Sequence, residues 1–256
     1  MKKIIACFIL LSLWSCKDDD TTETPGNLNI TFENTVDNTI LQLQTETYTN
    51  SSGETYRVNE LKYIISNITL SRKDGGTHTI PVDQSYFVIN EADSGSKMIT
   101  LTDIPAGIYT SMTFGFGVDS SQYPIASGTL NFVPTAEEAD MLWSWSAGYK
   151  FIKFEGDFTE AGDTTFNPFT IHVGSHGAAL DNYKEVTLPL GNDVANTDFK
   201  INQDTNASQR IIFDVAAIFD GTNTIRLTDK ADIQVDPINA PKIATNIAIA
   251  FKKIEG

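Results

Sequence analysis

Short apolar or alternating segments follow one another from residue 28 to residue 256, with turn residues between them. Candidate strands include LNITF, ILQLQTETY, YFVIN, SMTFGFGV, TLNFV, YKFIKFE, FTIHV, EVTLPL and RIIFDVAAIF. Turn chemistry separates them at Ser52-Gly53, Asp74-Gly75, Ser94-Gly95 and Asp220-Gly221. Many short strands at this spacing favour a sandwich. We therefore predict one large all-β sandwich domain over residues 28–256, with short helical insertions.

Two segments refine this prediction. Leu61–Leu70 lacks Gly and Pro and is rich in β-branched residues, so we expect it to be a central strand. Asp236-Pro237 opens a segment in which Ile238–Ala244 is predicted to form a helical turn.

The N-terminus has the pattern of a lipoprotein signal. Lys2 and Lys3 precede an apolar run that is too short to span a membrane, and residues 1–15 are predicted to be a signal peptide. The run ends in Leu-Trp-Ser-Cys, which looks like a lipobox with Cys16 as the lipid-bearing residue. Residues 16–27 then form an acidic, flexible linker. The alternative for Cys16 is a free thiol after an ordinary signal.

The acidic run Asp18 to Asp20 resembles the tag of surface-exported lipoproteins, although it also suits a solvated linker. We expect an outer-membrane lipoprotein at the cell surface or facing the periplasm, bound to the membrane through the lipid on Cys16.

Charge and motif content exclude several function classes. The formal net charge is -15 and no basic patch accompanies the aromatic residues, so we expect no nucleic-acid partner. The chain has no nucleophile elbow and no phosphate loop, which predicts a protein that is not an enzyme.

The most distinctive segment is MLWSWSAGYKFIKFEG, from Met141 to Gly156. Thr135 and Glu138 have capping-box spacing, so we predict a helix that Thr135 caps and Gly148 ends. Met141, Leu142 and Trp145 would share its inward face. After it, YKFIKFE predicts a strand that bulges near Phe151 or is covered on both faces.

The second distinctive segment is FTIHVGSHG, which starts at Phe169. Phe169, Ile171 and Val173 alternate with polar residues, so His172 is expected on the face opposite the apolar one. His176 follows in a glycine-rich turn. Two neutral imidazoles four residues apart can share a metal ion. The alternatives are ordinary hydrogen-bonded His residues and, for the nearby Trp pair, core packing.

These motifs carry a family resemblance. DMLWSWSAGYKFIKFEG and FTIHVG, with LKYIISNITL, LTDIPAGIYTSMTFGFGVD and FDVAAIFDG, resemble the MbnP-like copper-binding proteins, a group that includes the CorA and MopE type. The resemblance implies a β-sandwich that holds one copper ion through His side chains. It also implies a Trp that a partner di-haem enzyme of the MbnH type oxidises to kynurenine, whose aniline amine could help ligate the metal. By match of motif, Trp143 or Trp145 is the modified residue and His172 is a ligand.

The chain departs from the family pattern at one position. Members with demonstrated copper sites usually have another His near the start of the first strand, in a Phe-x-His pattern, where this chain has Phe32-Glu33-Asn34. Either His176 substitutes as the second ligand, or the fold is kept without tight copper binding. Met141, beside the Trp pair, could favour Cu(I).

Two functions thus remain open. One is a lipid-anchored copper-binding protein, and the other is a surface sandwich that binds a glycan or a protein partner with Trp143 and Trp145 as a stacking platform. The burial of Trp145 separates them, because a platform needs exposed rings, whereas a copper site needs a Trp close to His172 and partly shielded from water.

Overall fold

The computed structural model describes residues 24–119, 132–143, 148–175, 180–191 and 198–254. The expected signal peptide, Cys16 and the linker up to residue 23 lie outside these ranges. The described strands are β1 (Gly26–Val36), β2 (Thr39–Ile40), β3 (Tyr48–Thr49), β4 (Thr55–Arg72), β5 (Thr77–Thr79), β6 (Tyr86–Asn90), β7 (Met98–Ile104), β8 (Gly107–Phe116), β9 (Lys150–Thr159), β10 (Asn167–Gly174), β11 (Lys184–Pro189), β12 (Phe199–Ile201), β13 (Ala207–Asp214), β14 (Asp232–Gln234) and β15 (Phe251–Lys253). The helices are α1 (Val133–Glu138), α2 (Ala217–Asp220) and α3 (Asn239–Ala248), with a 3-10 turn at Val82–Gln84.

The strands form two sheets, which confirms the predicted all-β sandwich with short helices. The first sheet has the order β15-β13-β1-β2, and β7 also pairs with β1. The second has the order β11-β8-β4-β9-β10-β14, and the shorter strands β3, β5 and β6 pair with β4 while β12 pairs with β8. No helix in the described ranges is both long and apolar enough to span a membrane.

Aromatic rings fill the space between the two sheets. Phe32 of β1 meets Phe114 of β8 at a centroid distance of 6.1 Å and Tyr63 of β4 at 6.3 Å, both edge to face. Phe213 and Phe251 stack at 4.6 Å beside them. Such ring pairs add to the stabilisation that burial of their apolar area already gives.

The central strand of the second sheet is β4, as predicted for Leu61–Leu70. It pairs with β9 over residues 55 to 63 and with β8 over residues 65 to 72. Its β-branched and aromatic residues suit this position, because their side chains pack well on a pleated surface with neighbours on both sides. The strand therefore fixes the position of β9 and, through β9, of β10.

Helix α3 confirms the helical turn predicted near Ile238 and extends it to Ala248. Oδ1 of Asp236 accepts the backbone amides of Ile238 and Asn239, both at 2.9 Å, and so satisfies N–H groups that a helix start leaves without partners. Ile243 and Ile247 are buried on the inner face of the helix.

Candidate functional site

Helix α1 begins earlier than the sequence predicted. Its N-cap is Phe132, which makes no side-chain capping bond, and Thr135 lies inside the helix. The capping box is therefore a wrong prediction. Pro134 sits in the first helical turn, where a missing backbone N–H costs no hydrogen bond.

Helix α1 also ends earlier, because Asp140 takes the left-handed conformation with φ of 56°. The amide of Met141 bonds the carbonyl of Ala136 at 2.8 Å, and the amide of Asp140 bonds that of Glu137 at 3.0 Å. This is the Schellman arrangement, in which Gly usually occupies the position of Asp140. The prediction that Gly148 ends the helix is wrong, and the predicted inward helical face does not form, because Met141 and Leu142 lie beyond the helix.

The chain then turns back toward β9. Leu142 forms an isolated antiparallel bridge with Tyr149. The amide of Trp143 bonds the carbonyl of Gly148 at 3.2 Å, and the amide of Lys150 bonds that of Met141 at 2.7 Å. Trp143 is thus tied to the start of β9, whereas Trp145 lies outside the described residues.

Strand β9 confirms both features expected of YKFIKFE. Its pairing with β10 shifts from Val173 opposite Ile152 to Gly174 opposite Lys150, which leaves Phe151 as the extra residue of a bulge. Both of its faces are covered, since Phe151 and Ile152 are fully buried and so is most of Lys153. Lys150 and Lys153 would face opposite ways on a regular strand, and the bulge brings both ammonium groups to the same side.

Strand register places polar residues in two rows on the outer face of the second sheet. Lys62 of β4 lies opposite Lys153 of β9, Lys153 lies opposite His172 of β10, and His172 lies opposite Gln234 of β14. The adjacent row runs through Glu60, Glu155, Thr170 and Asp232. As predicted, His172 is on the face opposite Ile171, which is fully buried in the core.

His172 makes two side-chain contacts in this array. Its Nε2 lies 2.7 Å from Oε1 of Glu155, and its Nδ1 lies 3.2 Å from Oε1 of Gln234. The residue is only 7% exposed. Burial, helped by Lys150 and Lys153, lowers the pKa of His172 below 6.5 although Glu155 opposes this effect, so the neutral imidazole is favoured near pH 7.

Trp143 packs against His172. The two ring centroids are 5.9 Å apart with an interplanar angle of 60°, and Trp143 is 5% exposed. Nζ of Lys150 lies 5.6 Å from the Trp143 ring centroid, within the range of a cation–π contact. Gly174 makes room for the indole, because a Cβ there would lie 3.0 Å from Nε1 of Trp143. The indole nitrogen therefore lies over the end of β10.

An ionic clasp, formed by Asp140, Lys150, Lys153 and Glu60, holds this arrangement together. Lys150 Nζ donates to Oδ1 of Asp140 at 2.9 Å, and Lys153 Nζ donates to Oδ2 of Asp140 at 2.9 Å and lies 3.1 Å from Oε2 of Glu60. Burial alone would raise the pKa values of Asp140 and Glu60, but the lysine ammonium groups hold both below their usual range. The clasp ties the residues just before Trp143 to the sheet beneath.

The comparisons with known proteins agree with this architecture. A family model described as MbnP matches residues 25–238. The chain belongs to the MbnP family. Among solved structures, MbnP from Methylosinus trichosporium has a similar fold, with 11% sequence identity and a TM-score of 0.50 over 77% of this chain and 78% of that one. No curated protein matches the chain in sequence.

Within this MbnP-family protein, two residues predicted near the site lie elsewhere. Asn34 donates to Glu91 at 2.7 Å and accepts the hydroxyl of Tyr63 at 2.9 Å. Tyr63 leaves β4 on the side opposite that of Lys62, so Asn34 and His172 lie on opposite faces of the second sheet. Glu33 pairs with Arg210, with Nε and Oε1 2.8 Å apart. Asn34 therefore belongs to a structural hydrogen-bond network with Glu91 and Tyr63.

Of the other predicted site residues, Met141 is fully buried in the apolar core. His176 and Cys16, like Trp145, fall outside the described residues.

The residues around His172 fit a metal ion in part. In the described ranges, no group of three His, Cys, Asp or Glu side chains could hold one. His172 and Glu155 nevertheless present a nitrogen and an oxygen side by side, and imidazole and carboxylate are both metal donors. This pair fits a metal whose remaining ligands come from other groups.

The sequence reasoning missed Glu155, Lys150, Lys153 and Gln234. One local signal existed, since Lys153 and Glu155 are two residues apart within an apolar strand and so share a face. Gln234 gave no such signal, because it comes from a three-residue strand that pairs with β10 across 62 residues of sequence.

Proposed function

We propose that this MbnP-family protein is a copper-binding protein, anchored by a lipid on Cys16 in the outer membrane and facing the cell surface or the periplasm. It is a binding protein rather than an enzyme. His172 is a copper ligand, and a partner di-haem enzyme of the MbnH type converts Trp143 to kynurenine. One observation carries this proposal: a buried Trp ring packs directly against the buried His of the family motif.

The chemistry of the modification suits this position. Kynurenine forms when the partner enzyme uses two molecules of a peroxide as the four-electron oxidant, adds one oxygen atom to C2 and one to C3 of the indole, breaks the bond between these carbons and releases two waters. Hydrolysis by a further water then releases the C2 carbon as formate. The indole nitrogen remains as an aniline amine. In this chain that nitrogen starts over the end of β10, the strand that carries His172, as the close approach of Gly174 indicates. A bound copper ion would gain from it a second nitrogen donor.

The residues of the chain prepare the site in two ways. Burial favours the neutral form of His172, which is the form that ligates metals. The ionic clasp holds the Trp143 segment against the sheet, and its carboxylates offset the charge of Lys150 and Lys153 near a site for a cation. His176 is proposed as a further ligand from the motif alone.

The burial of Trp143 argues against the alternative function. A platform that stacks on sugars needs exposed rings, and Trp143 is almost fully covered. The same burial and its contact with His172 support Trp143 as a modified residue.

The test is peptide mass mapping and elemental analysis of protein purified from its native host, grown with controlled copper. We expect kynurenine at position 143 and about one copper per chain, and no stoichiometric copper in the His172→Ala variant. Trp145→Phe is the matched control for Trp143→Phe: the first should keep kynurenine and copper, whereas the second should lose both. Unmodified Trp143 without metal in the wild-type protein would contradict the proposal.

A further inference from the structure

We infer that Glu155 is a second ligand of the metal at His172. In this site His172 binds the ion through Nε2 and keeps its proton on Nδ1. This inference rests on the proposed function. The sequence motif supplies only histidines as ligands. The inference adds a carboxylate oxygen of Glu155 and names Nε2 as the nitrogen of His172 that binds the metal.

The imidazole of His172 lies between two hydrogen-bonding side chains. Both ring nitrogens of His172 face oxygen acceptors, Oε1 of Glu155 and Oε1 of Gln234. A neutral imidazole has one N–H donor and one lone pair, so it can satisfy only one of these acceptors. At the other nitrogen a lone pair faces an oxygen, and this repulsive contact is relieved either by a second proton or by a metal ion.

The orientation of Gln234 decides which nitrogen keeps the proton. Nε2 of Gln234 donates to Oδ1 of Asp232 at 2.8 Å, and this bond turns the amide oxygen toward His172. An amide oxygen that is held in this way accepts an N–H from Nδ1. A His that binds a metal usually donates its other N–H to such a partner, which fixes the tautomer.

The opposite nitrogen therefore faces Glu155 without a proton when a metal is bound. Nε2 and Oε1 are 2.7 Å apart. An imidazole nitrogen and a carboxylate oxygen are both metal donors, and these two would hold the ion together. A metal ion would replace the proton that otherwise links them.

Glu155 is available for this role. Nζ of Lys153 is 3.6 Å from Oε1 of Glu155, farther than from its partners Asp140 at 2.9 Å and Glu60 at 3.1 Å. The Glu155 side chain is 33% exposed. It also lines a surface cavity of about 320 Å³ together with Asn59, Glu60 and Asn90, through which a hydrated ion can reach the carboxylate.

The test compares Glu155→Gln with Glu60→Gln in protein purified from the native host and stripped of metal. Both carboxylates lie beside Lys153, but only Glu155 contacts His172, so Glu60→Gln controls for changes in the clasp. Cu(II) is titrated into each protein and the copper EPR spectrum is recorded. We expect Glu155→Gln to weaken Cu(II) binding at least tenfold and to change the copper hyperfine coupling. Glu60→Gln, which loosens the clasp without removing a proposed ligand, should weaken binding less than Glu155→Gln and leave the copper hyperfine coupling as in wild type.

Each other result has a definite meaning. If wild type and Glu155→Gln bind Cu(II) equally with the same spectrum, Glu155 is not a ligand and the proposed function still stands. If both variants are weakened alike, the effect belongs to the clasp and the ligand role is overturned. If the wild type does not bind Cu(II), the proposed function and the ligand role both fail. Should Glu155→Gln not fold, Glu155→Asp keeps the charge but moves the carboxylate away from His172, and unchanged binding there overturns the inference.

Discussion

Replacement of Lys153 by Met tests whether the ionic clasp holds Trp143 in place. Lys153 is 7% exposed at its side chain and lies within salt-bridge distance of Asp140, Glu60 and Glu155. Met has a similar length, so it preserves most of the packing of the buried stem while it removes the charge. The change therefore isolates the contribution of the ammonium group.

The expected loss of stability is moderate. Hydrogen bonds to charged groups are worth about 1.5–3 kcal/mol each. Each carboxylate keeps another partner after the change, namely Lys150 for Asp140, Lys62 for Glu60 and His172 for Glu155, and Asp140 is largely exposed. No buried charge loses all of its partners. We therefore expect Lys153→Met to lower the free energy of unfolding by about 2–3 kcal/mol, less than the loss from breaking a buried ion pair. For a domain of this size, that corresponds to a fall in Tm of about 4–12 °C.

The assay combines denaturant unfolding with acrylamide quenching of Trp143. The chain has 3 Trp, so a protein prepared without residues 1–15 and with Trp145→Phe would report on Trp143 alone. We expect Trp143 to be shielded in the parent and more strongly quenched after Lys153→Met. Lys62→Met is the matched control, because Lys62 is in the same row and, among the described residues, its polar side-chain contacts are with Glu60 and the carbonyl of Ala139 rather than with Asp140.

The stability that Lys153 adds should fall as the pH rises into the alkaline range. Burial alone would lower the pKa of Lys153, but Asp140 and Glu60 raise it above 10.5 overall. A raised pKa in the folded state gives stability that is fully present below pH 10.5 and is lost as the pH rises through the folded pKa. The difference between parent and Lys153→Met should therefore persist at neutral pH and shrink in strong alkali. If parent and variant have equal stability and equal quenching at pH 7, the ionic clasp does not hold Trp143 in place.

Three further changes probe other parts of the structure. Gly174→Ala should cost about 1–3 kcal/mol by overpacking, because a Cβ would lie 2.3 Å from the carbonyl oxygen of Tyr149, and denaturant unfolding would measure it. Asp236→Ala should cost about 1–2 kcal/mol through loss of the helix-start hydrogen bonds. Burial alone would raise the pKa of Asp236, but Lys230 and the amides at the start of α3 bring it well below 3.8, so the stability it adds is present above pH 3.8 and is lost as the pH falls further. Cys16→Ser should abolish lipid labelling and move the protein from the membrane fraction to the soluble fraction, and unchanged fractionation would argue against the anchor.

The sequence predicted the structure of one site segment correctly and that of the other wrongly. In FTIHVG the alternation of apolar and polar residues predicted the orientation of His172, because side chains on a strand alternate with a period of two residues. In the Trp segment the helical spacing led to a wrong cap and a wrong end. There Asp140 adopts a backbone conformation that usually needs Gly, and its contacts with Lys150 and Lys153 stabilise it. Those lysines lie on the following strand, so no pattern within the helix reveals them.

By itself, the sequence determined the all-β sandwich, the long central strand and the outward orientation of His172, because each depends on residues that are consecutive in the chain. Only the tertiary structure decided that Glu155 and Gln234 flank His172, that Trp143 packs on it, and that Asn34 belongs to the opposite face. These relations depend on register between strands that are distant in sequence. A shift of one residue in register moves every side chain of a strand to the other face, so local patterns cannot specify such contacts.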